Sequence, residues 1–218
     1  THRALNYLTL LMDNLSLAPS IEELYQYIEE ADKVYYCAIA SVLSLYNSNT
    51  HASTTQINRF FNLGNQLLQQ YVYLHLQSAG LHPDYGILQG DIYRELPLAW
   101  DLSREFSAPI VDDMVLNFIR NLGSTNGNGN GKRNGRRYHT YLKKFLQHWE
   151  GKLKSFILHP YVGEISYRQC IEFQVKEYIA SLLGDVDYYR PLALNIFRSP
   201  TNFTNAVENQ KSTLTLVK

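Results

Sequence analysis

Positive charge is concentrated in one stretch of a chain whose net charge is zero. The 218 residues include 20 Lys and Arg against 20 Asp and Glu. Between residues 132 and 154, only Glu150 opposes a run of basic side chains, namely Lys132, Arg133, Arg136, Arg137, Lys143, Lys144, Lys152 and Lys154. Such a cluster is typical of a surface that binds phosphate groups, and the Gly- and Asn-rich segment before it could fold onto a DNA backbone. The alternative is a solvated helix face joined to a disordered tether.

Other side chains that could do chemistry lack suitable partners. His75, His148 and His159 have no His or Cys at the spacing of a metal site, and Cys37 and Cys170 do not form a C-x-x-C pair. Both cysteines lie within helical patterns, so we expect buried, reduced thiols. These residues by themselves predict neither a metal site nor a nucleophile.

Composition limits the class of protein. With 45% hydrophobic residues the chain is long enough to form one sizeable core. Its net charge of zero excludes a uniformly basic nucleic-acid-binding protein. The chain contains no run of 18 apolar residues and does not begin with a signal-peptide pattern, which predicts a soluble, cytoplasmic protein.

Helical periodicity runs through most of the sequence, whereas no alternating pattern predicts a strand. The fold class is therefore predicted to be an all-α multi-helix bundle. Capping boxes mark two helix starts, at Ser20 with Glu23 and at Ser166 with Gln169. Pro109 predicts either a helix pair or one disturbed helix around it. We expect a helical domain over residues 1–192, with a flexible loop at 123–137 and an irregular tail at 193–218.

The most informative stretch is residues 80–106, GLHPDYGILQGDIYRELPLAWDLSREF. Its polar first part connects two predicted helices, and connections of this length are usually functional or disordered. The stretch resembles the CRISPR-associated integrase and endonuclease family, in which a G-L-x-P-x-x-G-F-L-H turn precedes a P-S-L-A-L-D-L-M-E-E-F helix. The residues that fit are Gly80, Leu81, Pro83, Gly86, Leu88, Pro97, Leu98, Ala99, Asp101, Leu102, Glu105 and Phe106.

The resemblance extends over about residues 1–192. Residues 20–36, SIEELYQYIEEADKVYY, are similar to the family segment S-I-D-E-L-M-G-I-E-G-A-A-A-R-x-Y-F. Residues 57–68 resemble V-N-A-L-L-S-F-G-Y-x-L-L through Asn58 and Gly64. The resemblance implies the catalytic helical domain of a CRISPR adaptation integrase, a Mg²⁺- or Mn²⁺-dependent DNA endonuclease of spacer acquisition. It also implies three partners: double-stranded DNA, another integrase subunit and the small second-numbered Cas protein.

In this register the metal-ligand positions of the family fall on Ile28, Gln89 and Arg104. A hard divalent cation needs several oxygen ligands, usually including carboxylates. Isoleucine offers none, glutamine offers one neutral oxygen, and arginine brings a positive charge. We therefore predict a catalytically lapsed relative that binds no metal cofactor. It would bind DNA or partner subunits, with DNA contacted by Lys132, Arg133, Arg136, Arg137, Lys143 and Lys144.

Two alternatives remain open. The first is an active enzyme that holds Mg²⁺ or Mn²⁺ in a rearranged acidic site built from Glu30, Asp101 and Glu105. A one-residue shift of register would put Glu29 in place of Ile28, and His82 could replace the missing histidine. Asp101 or Glu105 could instead form an ion pair with Arg104. The second alternative is a helical interaction module without a nucleic-acid role.

Overall fold

The computed structural model describes residues 2–47, 54–86, 96–123 and 134–192. Seven α-helices are present in these ranges: α1 His2–Asn14, α2 Ile21–Asn47, α3 Thr54–Ser78, α4 Pro97–Phe106, α5 Asp113–Gly123, α6 Asn134–Lys154 and α7 Tyr167–Leu183. A short 3₁₀ turn, Leu15–Leu17, follows α1. The predicted all-α class is confirmed. The division into a domain at 1–192 and a tail at 193–218 remains a prediction, and the tail lies outside the described residues.

A two-stranded hairpin is the exception to the helical fold. Strand β1, Phe156–His159, pairs antiparallel with β2, Gly163–Ser166, and Gly163 adopts φ 85° at the turn. The sequence predicts no strand, and this prediction is wrong for residues 156–166. Strands of four residues are too short for an alternating pattern to stand out. Ser166 then caps α7 with the predicted capping box to Gln169.

Helix α3 is the centre of the hydrophobic core. Its buried residues recur at spacings of three and four, at Ile57, Phe60, Gly64, Leu68, Val72 and Leu76. They face α4, α5 and α7. Phe60 packs against the rings of Phe118 and Phe145, with centroids 5.1 Å away in each case. Each fully buried side chain of this size contributes roughly 1.5–3 kcal/mol.

The helical run after α4 changes its winding at Pro109. Residues Ser107–Asp112 form a π-helical segment that leads directly into α5. Proline lacks an N–H group and its ring clashes with the carbonyl four residues earlier, so a regular α-helix cannot continue through it. The structure therefore selects one disturbed helix over a helix pair. The segment buries Ile110, Val111 and Asp112.

Gly64 is the point of closest approach between α3 and this π-helical segment. A Cβ atom built on Gly64 would lie 2.7 Å from Cγ1 of Val111. Real Cβ atoms do not tolerate such a contact, so the two backbones can approach this closely only at a glycine. This packing accounts for the glycine in the motif that residues 57–68 match.

Helices α1 and α2 lie at the periphery. Leu11 is the buried residue of α1, and none of the α2 residues 21–44, whose side chains are described, is buried. Helix α2 packs against α1 and α5. Apolar side chains on α1 remain open to solvent, with Leu10 54% and Met12 63% exposed.

Helix α6 begins at Asn134, so the predicted loop at 123–137 is too long at its carboxyl end, and Gly123 is already part of α5. Cys170 is buried as expected, but Cys37 is exposed. None of the described helices is both long enough and apolar enough to cross a membrane.

Candidate functional site

Arg104 forms an ion pair between two helices. Its Nη2 donates to Oδ1 of Asp32 over 2.5 Å, which joins α4 to α2. The side chains of Arg104 and Asp32 are 31% and 35% exposed, so the pair is partly shielded from water. The guanidinium thus occupies one of the three positions where the motif comparison places a metal ligand, and its partner is neither Asp101 nor Glu105.

The other two ligand positions add no anionic oxygen in the part of the chain that the structure describes. Ile28 lies one helical turn before Asp32 on α2 and is half-buried. Gln89 lies outside the described residues. Asp32 is therefore the carboxylate nearest in sequence to Ile28 that faces α4, and Arg104 already neutralises it.

A second polar bridge lies one turn further along α2. The hydroxyl of Tyr35 donates to Oδ2 of Asp112, in the π-helical segment, over 2.7 Å. Burial raises the pKa of Asp112 from 3.8 to about 6, although the Tyr35 hydrogen bond opposes this shift. Burial, together with the same hydrogen bond, also raises the pKa of Tyr35. Both groups are therefore protonated more readily in the folded protein than in the unfolded chain.

The three carboxylates of the predicted rearranged site face different parts of the protein. Glu30 accepts a hydrogen bond from Tyr7 of α1. Asp101 is buried beneath the turn that follows α3, where a Cβ atom on Gly86 would lie 2.9 Å from its Oδ2.

Glu105 belongs to a structural network. It accepts hydrogen bonds from the side chains of Gln174 and Tyr189 and from the backbone N–H of Leu192. It thereby holds residues 184–192 against α4. Burial raises its pKa, and the three hydrogen bonds oppose the rise. A carboxylate with three donors has little capacity left for a cation.

These residues do not fit a divalent metal ion. Within the described ranges, no group of three or more His, Cys, Asp or Glu side chains could hold one. His82 does not join the acids: it is exposed and lies 3.5 Å from Asp84 and against the ring of Tyr85. The structure does not bring Glu30, Asp101 and Glu105 together.

The basic cluster divides into two parts. Toward the carboxyl end of α6, lysines are used internally: Lys152 pairs with Asp113 over 2.6 Å and Lys154 with Glu150 over 3.0 Å. Lys143 and Lys144 are exposed, and no carboxylate of the described residues lies within ion-pair distance of either. Among the described residues, the charges of Lys143 and Lys144 are therefore not compensated by a carboxylate.

Two arginines precede these lysines in the sequence of α6. Arg136 and Arg137 lie in its first turn, which contains no acidic residue. Lys132 and Arg133 lie outside the described residues. Beside the lysines, a shallow groove of about 500 Å³ is lined by His139, Leu142, Lys143, Leu146, Gln147 and Glu150. We call the surface formed by Lys143 and Lys144 the α6 basic face.

Comparison with known families decides the identity of the fold. The family model described as CRISPR associated protein Cas1 matches residues 1–151. The chain belongs to the Cas1 family. A CRISPR-associated Cas1 endonuclease of Thermus thermophilus is 32% identical over 139 residues, which cover 63% of this chain and 42% of the relative. A second Cas1 endonuclease of that organism is 29% identical, over 77% of this chain and 54% of the relative. The chain thus spans about half the length of these Cas1 relatives.

Solved structures agree on the fold. A Cas1 protein from Thermotoga maritima superposes with a TM-score of 0.60 at 21% identity, covering 83% of this chain and 59% of that one. A casposase bound to an integration product gives a TM-score of 0.60 at 19% identity, over 78% of this chain and 52% of the other. At these identities the likeness concerns the fold alone.

The two polar bridges of the site are largely invisible to sequence reasoning. One bridge joins Asp32 to Arg104, and the other joins Tyr35 to Asp112. Apart from Arg104, only Tyr35 stands out in the sequence, because it matches the family motif. A signal for Asp32 exists, because it falls on the last alanine of the G-A-A-A-R run in that motif. An acid in place of a small apolar residue, four residues after the motif position of Ile28, is a signal that the charges here differ from the motif.

Proposed function

We propose that this chain is a Cas1-family protein of the cytoplasmic CRISPR adaptation machinery that retains the fold and DNA binding but lacks metal-dependent cleavage and integration. The observation that carries the proposal is the Arg104–Asp32 ion pair in the ligand region. Its partners would be duplex DNA and, as the family resemblance implies, another integrase subunit and the small second-numbered Cas protein.

Electrostatics opposes a metal ion at this place. Two unit charges about 4 Å apart interact by about 4 kcal/mol at a surface-like effective dielectric of about 20, and a divalent ion doubles this figure. Arg104 would therefore repel a metal ion, and the carboxylate of Asp32 is already neutralised. Without a metal ion, the charge that develops on a phosphoryl group during strand transfer has no counterpart here.

The α6 basic face supports the DNA-binding part of the proposal. Its lysines have no internal carboxylate partner among the described residues, whereas Lys152 and Lys154 do. The amino terminus of a helix carries a partial positive charge, so arginines in the first turn of α6 destabilise the helix unless an anion is nearby. A DNA phosphate provides such an anion and explains why like charges accumulate at this helix end.

Metal binding is the direct test of the lapsed site. Titrating the protein with Mn²⁺ or Mg²⁺ in a calorimeter should give no saturable heat. The triple variant Ile28→Glu, Gln89→His, Arg104→Glu should bind Mn²⁺, because it restores oxygen and nitrogen ligands and removes the guanidinium. Saturable binding by the unmodified chain, abolished in Asp101→Ala, would contradict the proposal and favour a rearranged site.

DNA binding is tested separately, by fluorescence anisotropy with a labelled duplex over a salt series. Affinity should fall steeply with salt, and the slope of log K against log salt should become shallower by about 0.9 for each DNA phosphate that the variant no longer neutralises. Lys143→Ala with Lys144→Ala should reduce both affinity and slope. Lys154→Ala is the matched control on the same helix, because its ammonium already has a partner in Glu150. Equal reductions in the control and the double variant would remove α6 as the DNA surface.

A further inference from the structure

Helix α2 contributes little apolar packing to the body of the protein: its partly buried Leu43 packs against the core. None of its residues 21–44 is buried, although it is 27 residues long. Two polar contacts join it to the helical run that begins with α4: Asp32 with Arg104, and Tyr35 with Asp112. Asp32 and Tyr35 are three residues apart and so face the same side of α2.

The two residues of the Asp32–Arg104 contact both differ in charge from the family motif. In the family segment that residues 20–36 resemble, the position of Ile28 is an acid and that of Asp32 is an alanine; on α4 the position of Arg104 is an acid. Relative to that pattern, this chain lacks an acid at 28, has an additional one at 32 and carries a base instead of an acid at 104. The additional acid and the new base are the two residues that meet, over 2.5 Å.

We propose that the Arg104 guanidinium is a built-in cation that replaces a bound metal ion as the link between α2 and α4. The inference rests on the proposed loss of the metal site and adds a structural role for the residue that occupies it. A cation held by carboxylates from two helices fastens them together. Here the cation is covalently part of α4, and a single carboxylate on α2 is sufficient to hold it.

The geometry makes Arg104 suitable for this role. Arginine keeps its charge at every accessible pH and presents several N–H donors in a planar fork. The contact is partly shielded, which strengthens it relative to a fully solvated pair such as Glu29–Lys33, whose side chains are both 69% exposed. Because Tyr35–Asp112 is a separate bridge, breaking the ion pair should loosen α2 locally without detaching it.

Hydrogen exchange followed by mass spectrometry on the whole chain tests this role. Arg104→Gln and Asp32→Asn each remove one charge while keeping a polar side chain of similar size. Each should speed amide exchange in the middle of α2 by about three- to tenfold and leave α3 unchanged. The double reversal Asp32→Arg with Arg104→Asp should restore most of the protection. Glu29→Gln, which breaks an exposed pair on the same helix, is the control and should change nothing.

The outcomes separate this inference from the proposed function. If neither single variant alters exchange in α2, or if the reversal fails to restore protection that both single variants lose, the link is overturned even when the chain binds no Mn²⁺. If the unmodified chain binds Mn²⁺ and α2 becomes more protected on adding it, the proposed loss of the metal site fails, and the built-in cation fails with it. Loosening by each single variant, restoration by the reversal and no effect of Mn²⁺ support both.

Discussion

Helices α2 and α3 have nearly equal lengths, 27 and 25 residues, yet they are held in place by different interactions. Six residues of α3 are buried, at regular helical spacing. No described side chain of α2 is buried. The partly buried Leu43 packs against the core, and an ion pair and a Tyr–Asp hydrogen bond join α2 to the run from α4 to α5. The apolar periodicity of the two segments is similar. Periodicity therefore identifies both helices but does not predict how deeply each is buried.

The contrast also explains where a change of charge is tolerated. A lone charge placed at one of the buried positions of α3 would be desolvated without a partner, at a cost of several kcal/mol. Arg104 sits where α4 meets a peripheral helix, so its charge keeps some contact with water and needs only Asp32 as a partner. A change of charge at such a boundary therefore leaves the core intact.

The largest effect that distinguishes the two helices is expected from truncating their apolar side chains. Leu68→Ala on α3 removes a side chain with 0% exposure and should lower the free energy of unfolding by about 2–5 kcal/mol. Ile28→Ala on α2 removes a half-buried side chain and should cost about 1 kcal/mol or less. Urea unfolding followed by circular dichroism measures both. Equal costs would show that α2 depends on apolar packing as much as α3 does.

Adding a methyl group tests the close packing of α3 by overfilling it. Gly64→Ala places a Cβ atom 2.7 Å from Val111 Cγ1 and should destabilise the protein by about 1–3 kcal/mol. Gly151 of α6 is the matched control, because nothing lies within 4 Å of a Cβ atom built there. Gly151→Ala should instead stabilise the protein by about 0.5–1 kcal/mol, the usual difference in helix propensity. Effects of the same sign in the two variants would contradict the assigned contact.

The pH dependence of stability tests the polar contact between Tyr35 of α2 and Asp112. The folded carboxyl of Asp112 has a pKa of about 6, against an ordinary value of 3.8, so it holds its proton more tightly than the unfolded chain does. Its contribution to stability is therefore fully present below about pH 4 and is lost as pH rises through about 6. The expected loss is of the order of 3 kcal/mol. Unfolding in urea from pH 4 to 8 should show this slope in the unmodified protein and a smaller slope in Asp112→Asn.

Much of the fold is predictable because its signals are local. Helical periodicity, the capping box at Ser166 and the glycine at position 64 depend on residues within a few turns of one another, and the structure contains each of them. The hairpin at residues 156–166 escapes prediction because two four-residue strands provide too few positions for a period to appear. Pro109 predicts a disturbance, but it does not predict that the disturbed segment is π-helical or that it packs against α3.

The candidate site is less predictable because its contacts join distant parts of the chain. The type of residue at Arg104 is enough to predict that it is incompatible with a metal ion, but its partner lies 72 residues earlier on another helix. Local spacing suggests Asp101 or Glu105 instead. Glu105 is directed away from Arg104 by hydrogen bonds to residues far along the chain. They are the side chain of Gln174, 69 residues later, and the backbone of Leu192, 87 residues later. The rotation of each helix about its axis is set by tertiary packing, and a single sequence does not show it.

The smallest expected effect concerns the second bridge of α2. Tyr35→Phe keeps the ring and removes only the hydroxyl that donates to Asp112, so it should cost about 1 kcal/mol. The cost should depend on pH. Above about pH 6 Asp112 is ionised and accepts a charge-assisted hydrogen bond, whereas at pH 4 it is neutral and loses less when the donor is removed. Tyr36→Phe is the control, because Tyr36 is 56% exposed and lies beside Tyr35. A cost for Tyr35→Phe that stays the same between pH 4 and pH 8 would show that the hydroxyl does not stabilise the carboxylate, and would leave Asp32–Arg104 as the bridge that matters.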